Sequence, residues 1–100
     1  MPNDTDRTVC HTPTPNKQPT SIPTWKYELV RRAILDALPD AAPGIPAKDL
    51  PELVRRQLSD EELHKLGSVN WHATTVKLNM EVDREIARHP TKKPQHIFRT

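Results

Sequence analysis

The closing stretch REIARHPTKKPQHIFRT, from Arg84 to Thr100, decides how the rest of the chain is read. Ile86 to His89 and Gln95 to Arg99 are short runs containing β-branched or aromatic residues, joined by Pro90-Thr91-Lys92-Lys93-Pro94. Two strand-like runs around a proline-bracketed tip predict a hairpin with strands near 86–89 and 95–99. Proline at both ends lowers the entropy of the tip, so Lys92 and Lys93 are presented outward. The stretch sets Arg84, Arg88, Lys92, Lys93 and Arg99 against the single acid Glu85, while the whole chain of 100 residues has a formal net charge of only +2. Clustered charge of this kind is the footprint of an edge that meets phosphate.

Upstream of the hairpin the apolar pattern is helical. In WKYELVRRAILDALPD, from Trp25 to Asp40, residues Tyr27, Val30, Ile34 and Leu38 recur at spacings of three and four. Leu29, Ala33 and Ala37 broaden the stripe, Thr24 offers an N-cap and Pro39 ends the helix. AAPGIP is a turn. AKDLPELVRRQL predicts a second helix with Asp49 as cap and Pro51 in its first turn, because an interior proline loses a hydrogen bond and clashes. Ser59 followed by Glu62 is a capping-box pattern opening a short helix that Gly67 terminates. Ser68 or Asn70 then caps a longer helix with Ala73, Val76 and Met80 facing inward. The predicted helices cover residues 25–38, 47–58, 60–66 and 70–84. Their core comprises Leu29 or Val30, Ile34, Leu38, Leu53, Val54, Leu66, Val76, Met80, Ile86 and Ile97. The expected fold class is mainly α with a C-terminal β-hairpin, a winged helix-turn-helix-like core of three or four helices over residues 25–100.

Residues 1–24 read differently. Proline, threonine, asparagine and glutamine dominate them, and so little apolar surface predicts a disordered leader. Cys10-His11 lacks the second thiol or spaced histidine pair of a metal site, and a lone cysteine fits a reducing compartment. No apolar run approaches the roughly 20 residues needed to span a bilayer, and the N-terminus has no signal-peptide pattern, so a cytoplasmic location is expected.

Catalytic signatures are missing. The chain has no G-x-S-x-G and no H-E-x-x-H, and its two glycines cannot build a phosphate loop. Asp60, Glu61 and Glu62 are explained by capping and helix-dipole complementarity. No enzyme, cofactor or metal is expected.

From Tyr27 to Thr100 the chain resembles a small uncharacterised bacterial family with a winged-helix-like fold. The matching residues are Leu38-Pro39, Ala42-Pro43-Gly44, Trp71, the run Val76-Lys77-Leu78-Asn79-Met80-Glu81, Ile86, Pro94, His96, Ile97 and Arg99-Thr100. Arg84-Glu85 replaces the usual glycine before the first strand, and the leader is longer and richer in threonine and proline. The resemblance implies a fold and no activity.

A winged helix places the second helix of its helix-turn-helix pair in the major groove of double-stranded DNA. The expected recognition residues are therefore His72, Thr74, Thr75, Lys77 and Asn79, with Asn79 suited to bidentate pairing with adenine. The wing would bring Arg88, Lys92, Lys93, His96 and Arg99 to the backbone or the minor groove. Glu81, Asp83 and Glu85 oppose this reading, since they would repel phosphate. Leu78 and Val82, four residues apart and off the inward stripe, instead suit a homodimer or a protein partner, or packing against the leader. A winged-helix adaptor that binds no DNA is the alternative.

Overall fold

The computed structural model describes residues 6–14 and 16–100, and Met1–Thr5 and Pro15 of the expected leader lie outside the described residues. The chain opens with β1 (Arg7–Cys10) and β2 (Thr20–Pro23), then α1 (Thr24–Ala37). β3 (Ile45–Pro46) and a single 3-10 turn (Ala47–Asp49) lead into α2 (Leu50–Gln57), α3 (Asp60–Leu66) and α4 (Val69–Val82). β4 (Ile86–Arg88) and β5 (His96–Arg99) close the chain. The described fold is mixed α/β, four α-helices with two small antiparallel sheets.

The helices form where the apolar spacing requires. α1 buries Tyr27, Val30, Ala33 and Ile34, and stops where Leu38 turns extended before Pro39. Thr24 is the first helical residue and not the cap; its hydroxyl lies 2.8 Å from that of Thr8. Pro51 occupies the first turn of α2, where its missing N–H has no intrahelical partner to lose, while Asp49 holds the cap position without a side-chain cap bond. Ser59 and Glu62 form the expected capping box: the Glu62 N–H donates to the Ser59 hydroxyl at 3.1 Å and the Ser59 N–H to the Glu62 carboxylate at 2.8 Å. Ser68 caps α4 by accepting from the Trp71 N–H at 3.1 Å. Arg84 adopts a left-handed φ of 63° just past the end of α4.

The terminal hairpin pairs Ile86 with Arg99 and Arg88 with Ile97. β3, unforeseen in the sequence, adds a third strand by pairing Ile45 with Ile97 and Pro46 with His96, giving the order β3-β5-β4. The base of the hairpin is tied down: the Arg99 N–H donates to the Pro39 carbonyl at 2.8 Å and the Thr100 N–H to the Glu85 carbonyl at 3.1 Å. Arg31 of α1 clamps the Glu85 carboxylate.

α1, α2 and α4 pack together around Val30, Ile34, Leu38, Val54, Leu66, Val76, Met80, Ile86 and Ile97, all buried as expected. Leu53 is only half-buried, because Leu50, one turn earlier and beside Pro51, fills the centre of that interface.

The expected disordered leader is corrected for the described residues. β1 and β2 form an antiparallel hairpin with Thr8 opposite Ile22 and Cys10 opposite Thr20, laid against α1 and α4. Cys10 and Ile22 are each 2% exposed and belong to the same core as Met80 and Ile97. The Thr24 N–H closes the hairpin base on the Asp6 carbonyl at 2.9 Å. Two inward side chains and the cross-strand pairing order a segment whose overall composition is polar.

Candidate functional site

α4 carries the expected recognition residues, and its two faces treat them differently. His72, Ala73, Val76, Asn79 and Met80 are buried, while Trp71 is 47% exposed, Val82 is 40% exposed and Thr74 is open to solvent. Thr75 and Leu78 are half-buried beside them. The arc of Trp71, Thr75, Leu78 and Val82 is thus apolar or hydroxylic, while Asn70, Thr74 and Lys77 form a polar arc beside it.

Asn79 is a correction to the sequence reading. Its carboxamide nitrogen donates to the Tyr27 hydroxyl at 2.7 Å, and its oxygen accepts the His11 N–H at 2.9 Å. The side chain pins α1 and the segment after β1 to α4, and is unavailable to a base edge. His72 is also withdrawn: its Nδ1–H donates to the Ser68 carbonyl at 2.7 Å, and burial holds its pKa below the ordinary value. Trp71 packs edge-on against that imidazole with ring centroids 4.8 Å apart.

On the next arc of α4, Glu81 sits between two cations. Lys77 Nζ approaches its carboxylate at 3.5 Å and Arg88 of β4 pairs with it directly. With Glu85 held by Arg31, two of the three acids that opposed a phosphate contact are internally neutralised. The same pairing reduces what Lys77 and Arg88 can offer to a ligand. Asp83 stays exposed and accepts from the Asn79 carboxamide at 3.3 Å.

At the hairpin tip His89 Nδ1 accepts the N–H groups of Thr91 at 3.2 Å and Lys92 at 3.0 Å, so its proton resides on Nε2. The buried His96 donates from Nδ1 to the Pro94 carbonyl at 2.6 Å. These contacts fix the turn, and Lys92 and Lys93 on it are exposed, without an ion pair among the described residues. Arg99 is spent inside the fold, its Nε–H donating to the Leu38 carbonyl at 2.9 Å. The structure thus leaves Thr74, Thr75, Lys92 and Lys93 accessible from the expected set, ties Lys77 and Arg88 to Glu81, and occupies His72, Asn79, His96 and Arg99 internally.

Sequence reasoning missed Lys48. With Ala47, Leu50, Pro51, Ala73, Thr74 and Lys77 it lines a small cavity of about 130 Å³ between the start of α2 and α4. The β3–β5 pairing and the Ala47 N–H to Gln95 carbonyl bond at 2.8 Å connect this corner to the C-terminal hairpin. A larger cleft of about 740 Å³ runs between α1 and α3 over Trp25, Leu29 and Leu35. Burial pushes the Cys10 thiol pKa up, which makes it a poor nucleophile. Among the described residues no three His, Cys, Asp or Glu side chains gather as metal ligands, and no helix is long and apolar enough to cross a membrane.

Neither a curated protein nor a solved structure matches the chain. A family model, described as a family of unknown function (DUF6958), matches residues 7–97, beginning at the first residue of β1 and reaching into β5. The match takes in both the N-terminal hairpin and most of the C-terminal one, and the chain belongs to the DUF6958 family of unknown function.

Proposed function

We propose that the chain is a winged-helix module that binds double-stranded DNA, with the amino-terminal half of α4 in the major groove and the β4–β5 tip against the backbone. One observation carries the reading: two lysines without an ion pair among the described residues stand at the tip of a hairpin with a tied base, directly after a helix that packs on it. The order of three mutually packed helices followed at once by that hairpin supports a winged helix. Neutralisation of Glu81 and Glu85 removes most of the local acid that would repel phosphate.

In this reading Lys92 and Lys93 supply phosphate contacts, and Thr74 and Thr75 meet base edges or a thymine methyl. Asn79, His72, His96 and Arg99 act by holding the scaffold. Affinity is then dominated by phosphate contacts and depends strongly on salt.

Replacing Lys92 and Lys93 together with Ala should weaken binding to all duplexes alike. The slope of log affinity against log salt should fall by roughly 2. Fluorescence anisotropy on a mixed-sequence duplex at several salt concentrations measures both. An unchanged slope in the double variant would remove the wing from the interface. The exposed strip of Trp71, Leu78 and Val82 favours a second reading, a protein-docking module, which predicts no salt-sensitive duplex affinity at low ionic strength.

A further inference from the structure

With its carboxamide committed to Tyr27 and His11, Asn79 has no free donor–acceptor pair for bidentate base recognition. A different asparagine stands one turn before Thr74. Asn70 lies in the first turn of α4 and is exposed, as is Thr74 four residues later on the same arc. The side-chain hydrogen bonds made on α4 and at its cap involve Ser68, His72, Asn79 and Glu81, so the Asn70 carboxamide is uncommitted among the described residues. Lys77 continues the arc one turn beyond Thr74, and Thr74 and Lys77 share the 130 Å³ cavity with Lys48. Lys48 is exposed and without an ion pair among the described residues.

We propose that Asn70 is the sequence-determining residue of the duplex-binding face, reading adenine in the major groove, and that Lys48 fixes the adjacent phosphate. This rests on the duplex-binding reading and adds to it which base is read and from where. Adenine presents an acceptor and a donor side by side in the major groove, which a carboxamide matches with its own donor and acceptor. Side chains in the first turn of a recognition helix are the ones that reach base edges. Asn70 satisfies both conditions, whereas the buried Asn79, in the last turn of α4, satisfies neither. Lys48, which lines the same cavity as Thr74, supplies the cation for a backbone phosphate on the α2 side of that face.

The test is selection from a randomised duplex pool with the full-length protein and Asn70→Ala, alongside salt titrations of Lys48→Ala. Wild type should enrich a site containing adenine, and Asn70→Ala should lose that enrichment on the order of tenfold. Its salt slope and melting temperature should stay unchanged, since the side chain is exposed and unbonded. Lys48→Ala should weaken every duplex alike and lower the slope by about 1. An Asn70→Ala pool with the wild-type preference, a wild type without any preference, or a Lys48→Ala slope equal to wild type overturns the inference and leaves duplex binding standing. A wild type without salt-sensitive duplex affinity overturns both.

Discussion

Gly44→Ala should unfold a large part of the population at physiological temperature. Gly44 has a left-handed φ of +81°, and a Cβ there would lie 2.6 Å from the Ile97 carbonyl carbon and closer still to its oxygen. Ile97 is fully buried at the centre of the three-stranded sheet, bonded on one side to β3 and on the other to β4. The neighbour that would have to move is therefore backbone, which cannot yield as a flexible side-chain end would. The left-handed conformation costs about 1–2 kcal/mol for a residue with a Cβ, and forced displacement in a packed core typically adds about 1–3 kcal/mol. Against a total stability of about 5–15 kcal/mol, that removes a large share. The melting temperature should drop by more than about 10 °C. Gly67→Ala is the control: its φ is +88°, but a Cβ there meets nothing within 4 Å, so only the backbone term applies. Equal losses for the two variants, by thermal or urea unfolding, would show that the β3–β5 approach is looser than described.

Ile22→Ala should destabilise the fold by about 2–5 kcal/mol, the range for truncating a buried aliphatic side chain. Removing residues 1–23 should cost more. That deletion strips Cys10 and Ile22 from the core, exposes the buried Tyr27, and takes the His11 N–H from the buried Asn79 carboxamide. Exchanging that hydrogen bond for one to water costs about a further 1 kcal/mol. Urea midpoints for wild type, Ile22→Ala and the deletion measure the series. Midpoints within error of wild type would return the N-terminal segment to the status of a dispensable leader.

What the sequence made legible was periodic and local. Tyr27, Val30, Ile34 and Leu38 marked α1, Ser59 with Glu62 marked the start of α3, and the prolines around Lys92 and Lys93 marked the turn of the C-terminal hairpin. What it hid depended on contacts distant along the chain. β1 contributes only Cys10 to the core and β2 only Ile22, too few apolar residues for a two-residue period to stand out. β3 consists of Ile45 and Pro46, and becomes a strand only because β5 offers it partners.

The candidate site was half legible for a related reason. The exposure of Lys92 and Lys93 followed from local turn chemistry. Asn79 was assigned outward by its polarity, although it lies three residues after Val76 and next to Met80 on the buried arc. Its position in the period was the better guide. Only Tyr27 and His11, at distant points in the chain, explain why a polar side chain belongs there. Arg99 and His96 likewise looked like wing cations until the backbone carbonyls of Leu38 and Pro94 claimed them.

The central claim is that one face, made of the first turns of α4 and the wing tip, meets duplex DNA. Titrating ¹⁵N-labelled protein with a mixed-sequence duplex at low ionic strength tests it residue by residue. The account predicts amide shifts over residues 70–75 and at Lys48, Thr91, Lys92 and Lys93, reversed by added salt, with β1, β2 and the α1–α3 cleft around Trp25 and Leu29 unperturbed. A spectrum that does not respond to the duplex, or shifts confined to Leu78, Val82 and the α1–α3 cleft, would contradict it.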